Sequence, residues 1–269
     1  MAIHASAPPH TAPLVLPRRL RIPRPLVPTL SLAAGLLLWQ VAGSVFRLDW
    51  LPPLSRVVAD IGTMWAQGQL QPALSESVVN LVIGFVIAAV AGVTLGTLMS
   101  LFQKVAFALQ PYVNAFLLAP SIVMAPVFFI FFGLSRATPI AVIVLYAVLF
   151  IAVNTQTALK TVDTQLVEMA RSAGASRWQI YRFVIVPASL PLTMAGLRLG
   201  MGRCVKGMIN GELFIAVVGL GRLDSSFAGA FDATGILAIM LIVVVVAVVA
   251  TSAVQIVDRR LNSWLYREG

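Results

Sequence analysis

The chain has 269 residues, of which 59% are hydrophobic and only 11% charged, and its mean hydropathy is +0.93. A water-soluble domain has about a quarter of its residues charged, so this composition belongs to a protein embedded in lipid. The net charge of +9 does not point to nucleic acid, because the basic residues cluster between apolar runs instead of forming a continuous basic face interleaved with aromatics.

Residues 1–27 are rich in proline and carry Arg18, Arg19, Arg21 and Arg24. They are too long and too proline-broken for a secretory signal peptide, and they read as a disordered, basic, cytoplasmic tail ahead of a membrane domain over 28–269. Six apolar segments follow, at 29–46, 78–102, 112–133, 137–157, 190–213 and 236–257. A helix needs about 20 residues to cross the hydrocarbon core, so these predict an all-α membrane protein with six spanning helices. The last segment is full of β-branched residues, yet its uninterrupted length makes it a spanning helix and not a strand.

Two of these segments carry internal patterns. The second places Gly84, Ala88, Gly92, Gly96 and Ser100 at four-residue spacing, a ladder along which another backbone can approach closely. The third contains Pro120 and Pro126, which bend a helix and are expected here to border a pathway.

Between the fourth and fifth segments lies a polar, basic stretch over about 160–187, longer than a connecting loop requires. Asp163 or Thr164 can cap a helix start, and Gly174 suits the left-handed position after a helix end. Ser176 and Gln179 then form a capping box that opens a second short helix, expected to end by Pro187, with Pro191 in the first turn of the fifth span. This helix–glycine–helix elbow carries Arg171, Arg177 and Arg182 beside Met169, Trp178, Ile180 and Phe183. On residue chemistry alone it is a docking element or an amphipathic helix lying among lipid headgroups.

The fifth segment holds most of the charge inside the apolar runs. Arg198, Arg203 and Lys206 share one arc of its helix, and Glu212 lies near the outer end. Charges at that depth normally face the bundle interior, so this arc is expected to border a pathway and favour an anionic solute. Basic residues also give the topology. With the tail inside, Arg18, Arg19, Arg21, Arg24, Lys104, Lys160, Arg171, Arg177, Arg182, Arg259, Arg260 and Arg267 are cytoplasmic, while Arg47, Arg56, Arg136 and Arg222 are outside. That bias puts both termini and the elbow in the cytoplasm. The only histidines, His4 and His10, lie in the tail, and Cys204 is the one cysteine. The sequence therefore offers no His/Cys metal cluster and no phosphate-binding glycine loop, so neither a metal, a cofactor nor ATP binding by the chain itself is expected. An ATP-independent channel or a membrane enzyme remain as rival classes, the enzyme disfavoured by the lack of paired intramembrane carboxylates.

The elbow resembles the EAA loop of ABC importer permeases. That pattern is E-A-A, three residues, G, nine residues, then I-x-L-P, and here Glu168-Met169-Ala170, Gly174 and Val184-Ile185-Val186-Pro187 fall at the same spacing. The departures at Met169, Val184 and Val186 keep apolar character. Over residues 50–260, the stretches APSIVMAPVFFIFFGLS, VNTQTALKTVDTQLVEMARSAGASRW and GELFIAVVGLGRL are similar to the nitrate/sulfonate/taurine-type subgroup. The resemblance implies the type I importer fold and no enzymatic activity in this chain. It implies two copies of an ATP-binding subunit docked on the elbow through Glu168, Ala170, Gly174, Arg177 and Pro187. It further implies an extracytoplasmic solute-binding protein, a second permease copy as homodimer, and residence in the bacterial inner membrane in contact with lipid.

Overall fold

The computed structural model describes residues 26–46, 49–118 and 121–262, and these are helical apart from short turns. The helices are α1 (Leu26–Phe46), α2 (Leu54–Ala66), α3 (Leu70–Leu101), α4 (Gln103–Leu118), α5 (Ala125–Phe132), α6 (Ala137–Lys160), α7 (Thr164–Ser172), α8 (Arg177–Ile180), α9 (Val186–Ile215), α10 (Gly219–Gly229) and α11 (Ala233–Leu261). The expected basic tail falls almost wholly outside the described residues, as do Arg47 and Arg267, and α1 begins at its last two positions.

Among the described residues, five stretches are long and apolar enough to cross a membrane: Val27–Phe46, Leu70–Leu101, Ala137–Lys160, Arg177–Ile215 and Ala233–Leu261. They match five of the six expected spans. The remaining segment, 112–133, is not one helix. α4 ends at Leu118, a 3-10 turn covers Ser121–Met124, and α5 begins at Ala125. Proline explains the division. Pro126 sits in the first turn of α5, where a missing N–H leaves no helical carbonyl unpaired. Pro120 lies outside the described residues.

The core is a three-helix layer in which α6 runs between α3 and α9. A Cβ on Gly84 would stand 2.5 Å from Ile143 Cγ2 and one on Gly92 would stand 2.8 Å from Ile151 Cβ, while one on Gly96 would meet the Ala152 carbonyl. The ladder of α3 is therefore the seam against α6. A second ladder lies on α9. A Cβ on Gly200 would come to 2.6 Å from Ile151 Cγ1, and one on Gly207 to 2.8 Å from Ile143 Cα. Gly196 and Gly211 are as close to Asn154 and Pro139. Ile143 and Ile151, both fully buried, thus wedge between two glycine-lined backbones. In lipid, where apolar surfaces gain little by meeting one another, such close backbone approach is what holds helices together.

Two elements are additional to the predicted set. α2 is amphipathic and lies against α1, where the Trp39 indole N–H donates to the Pro52 carbonyl at 3.1 Å. α10 packs against α3, α9 and α11 and is too short to span.

Candidate functional site

The elbow forms as its capping signals dictate. The Asp163 carboxylate accepts from the Gln165 amide at 2.9 Å and opens α7. α7 closes through Ala175 N–H to Ala170 carbonyl and Gly174 N–H to Arg171 carbonyl bonds, with Gly174 at φ +81°. Ser176 then accepts from the Gln179 amide, and Gln179 Oε1 accepts from the Ser176 amide at 2.8 Å, completing the capping box of α8. No residue of α7 is buried, and Met169, Trp178 and Phe183 are 69%, 64% and 68% exposed. A shallow depression of about 350 Å³ lies on the elbow, lined by Ala173, Gly174, Ala175, Gln179, Phe183 and Val184.

The elbow does not end at Pro187. Arg177–Ile215 is one helical run of 39 residues, with a π turn over Tyr181–Ile185. The Val186 amide bonds to the Tyr181 carbonyl, five residues back. In a regular α-helix the Pro187 ring would press on the Phe183 carbonyl and offer it no N–H. The wider turn just before Pro187 relieves that contact, so the chain continues where a break was expected. At about 1.5 Å per residue this run is about 58 Å along its axis, roughly twice the hydrocarbon thickness and longer than one span requires.

Further along α9 the expected cationic arc divides. Arg203 and Lys206 are exposed and Arg198 is half-buried. The Arg203 guanidinium lies 4.8 Å from the Phe150 ring centroid, and the Asn210 amide donates to the Tyr146 hydroxyl at 2.7 Å on the adjoining surface. Among the described residues none of the three cations pairs with a carboxylate. Leu192, Leu199 and Phe214 are exposed along the same helix. Pro126 is also exposed, at the start of α5.

Glu212 belongs to a different environment. It is fully buried, and its Oε2 accepts from the Ser77 hydroxyl at 2.6 Å and the Gly221 amide at 3.4 Å, while Oε1 accepts from the Asn80 amide at 3.2 Å. Ser77 Oγ in turn accepts from the Leu220 amide at 2.8 Å. Glu76 Oε2 accepts from the Gly219 amide at 3.0 Å, and its Oε1 pairs with Arg136 at 3.1 Å. The first three amides of α10 are thus met by two carboxylates and a hydroxyl, a favourable match to the positive end of a helix. Sequence reading singled out Glu212 but missed Glu76, Ser77 and Asn80. The one available signal was three polar residues within five positions at the start of an apolar helix.

The bundle of spanning helices thus ends in a capped, solvent-exposed elbow and carries an exposed basic seam along one helix. Residues 56–263 match the family described as binding-protein-dependent transport system inner membrane component, and the chain belongs to that family. It is 28% identical over 260 residues to the taurine transport system permease protein TauC of Escherichia coli K12, covering 92% of this chain and 94% of the relative. To the formylaminopyrimidine transport permease protein ThiX of Halalkalibacterium halodurans it is 27% identical over 239 residues, covering 89% and 96%. The permease fold of an inward-facing methionine ABC transporter superposes with a TM-score of 0.63 at 21% identity, over 74% of this chain and 98% of the other. The chain is therefore a multi-pass inner-membrane permease subunit of an ABC importer, partnered by an ATP-binding subunit and a solute-binding protein.

Proposed function

We propose that two copies of this permease pair to form the pathway for a small anionic solute. Two ATP-binding subunits dock on the two elbows from the cytoplasm, where both termini also lie, and the solute-binding protein delivers cargo at the opposite face. The exposed, carboxylate-free seam of Arg203 and Lys206 on α9 carries this reading. Arg203 lies 12 residues before Ile215, about 18 Å from that helix end and so near mid-bilayer. A cation facing lipid there costs about 2.5–3.5 kcal/mol or more. A second copy apposed across a two-fold axis would cover the seam and enclose a polar path beside it. Aliphatic sulfonates, named for one relative, are anions, and taurine, named for another, carries a sulfonate group that such a basic seam could meet.

At the elbow, Glu168, Ala170 and Gly174 shape the surface that meets the ATP-binding subunit. Arg177 keeps it in water, and Pro187 sets the π turn that joins it to α9. ATP binding draws the two elbows together and opens the outer face; hydrolysis resets them.

The test is solute uptake by the reconstituted complex, comparing the native chain with the double variant Arg203→Gln/Lys206→Gln. Sulfonate uptake is expected to fall about tenfold, the effect of ~1.4 kcal/mol in binding. Unchanged anion uptake by a stably folded double variant would overturn the anionic assignment.

A further inference from the structure

α10 is held in a way that its packing alone does not require. It enters through two left-handed residues, Ala216 at φ 49° and Gly219 at φ 63°, and leaves through a third, Phe231 at φ 55°. Left-handed backbone at a non-glycine residue costs about 1–2 kcal/mol, so both corners are strained joints on either side of a short rigid helix. Across the gap, the first turn of α10 is gripped by Glu76 and Ser77 of α3 and by Glu212 of α9 through the four bonds described above. The fit leaves no slack. A Cβ on Gly219 would run into Glu212 Oε2 and Ser77 Oγ, and one on Gly221 into the Glu212 backbone.

The position of this grip matters as much as its chemistry. Glu212 lies 35 residues beyond Arg177 on the same unbroken helical run, about 52 Å away along the axis. One continuous helical run, carrying its π turn at Tyr181–Ile185, therefore links the elbow to Glu212, which accepts from Gly221 of α10 at 3.4 Å. Elbow movement transmitted along this helix would shift or tilt Glu212 relative to α3.

We infer that the first turn of α10, gripped by Glu76, Ser77 and Glu212, is the outer latch of the transport cycle, with Glu212 as its positioning residue. The inference rests on the elbow being the docking site for the ATP-binding subunit. In the resting state the latch holds α10 across the outer end of the bundle. Closure of the ATP-binding subunits drags α9, withdraws the Glu212 carboxylate from Ser77 and Gly221, and leaves α10 held only by Glu76 and Ser77 of α3, a weaker grip from which it can swing on its two strained corners. Without the latch, the outward-open state is reached without the push that a docked, loaded binding protein would supply.

The experiment measures ATP hydrolysis and ATP-driven sulfonate uptake by the complete complex in liposomes, with and without its binding protein. Glu212→Ala is expected to raise hydrolysis in the absence of binding protein about fivefold or more, while uptake per ATP falls. Glu212→Gln should restore coupling to within about twofold, because its amide oxygen can accept from Ser77 and Gly221. The Asn80 side-chain oxygen, which has no partner among the described residues, can turn to meet the new amide N–H. A merely structural role predicts the opposite signature, a parallel loss of hydrolysis and uptake. Should Glu212→Ala fail to assemble, Glu76→Ala, which removes the acceptor for the Gly219 amide, supplies the same readout from the partly exposed side of the latch and is expected to raise basal hydrolysis by a smaller factor. Basal hydrolysis that stays at the native level in assembled Glu212→Ala and Glu76→Ala complexes would overturn the latch alone. Native complex whose hydrolysis ignores the binding protein would overturn the docking reading beneath it.

Discussion

At one end of the long helix that carries α9, the elbow is closed by hydrogen bonds between residues two to five positions apart, and α7 buries nothing. At the other end, the bonds of the Glu212 node join residues 132 to 143 positions apart, save the one from Gly221 nine positions on, and Ser77, Asn80 and Glu212 are fully buried. The elbow's geometry is set locally, by a cap at the start of each short helix, with Ile180 as its buried residue. The node has little local stability, since every bond in it joins two different helices of α3, α9 and α10. A transporter needs both kinds of structure. The proposed docking surface is built locally, whereas the inferred outer closure is built from groups on different helices.

Substitutions at glycines of equal conformation separate the two regimes. Gly219 and Gly174 both adopt positive φ, but a Cβ at Gly219 collides with Glu212 and Ser77 whereas a Cβ at Gly174 meets nothing within 4 Å. Gly219→Ala is therefore expected to cost roughly 2–5 kcal/mol, combining left-handed strain with overpacking, and to lower the Tm of the detergent-purified chain sharply. A Tm within a degree of native would mean that the node yields far more readily than its distances imply.

Gly200→Leu probes the seam between the two ends. Its side chain would push on Ile151, and a loss of about 1–3 kcal/mol is expected by the same thermal measurement. Gly174→Val should cost about 1–2 kcal/mol, confined to the elbow. The bundle Tm then stays put while co-purification of the ATP-binding subunit is lost; normal co-purification would show that the elbow tolerates a different turn. Ser176→Ala removes one half of the capping box and is expected to weaken α8 by about 1 kcal/mol, visible as faster amide exchange at Gln179. Smallest of all is Arg136→Gln. The exposed pair with Glu76 is worth about 0–1 kcal/mol, so stability should hardly change.

Much of the elbow was legible in the sequence because capping is a short-range code. Asp163, Gly174 and the Ser176–Gln179 box all behave as their residue types and spacing dictate. Pro187 is the exception. A proline rule applied alone ends the helix there, whereas a π turn, which shows no marker of its own in sequence, lets the chain run on. The third apolar segment erred in the other direction, since length and hydropathy suggested one span where the structure has two helices and a turn.

Sequence by itself determined the membrane class, the five long spans, the elbow and the small-residue ladder of α3, because each depends on length, composition or spacing within one or two helical turns. Only the tertiary structure decided that α9 answers that ladder with one of its own, and that Ile143 and Ile151 fill the space between. It alone separated Glu212 from the cations that share its helix. Arg203 and Lys206 open on a free face, while Glu212 turns inward to Ser77 and Asn80. Spacing along one helix fixes which residues lie near one another on its surface, but which surface is buried depends on partners more than a hundred residues away.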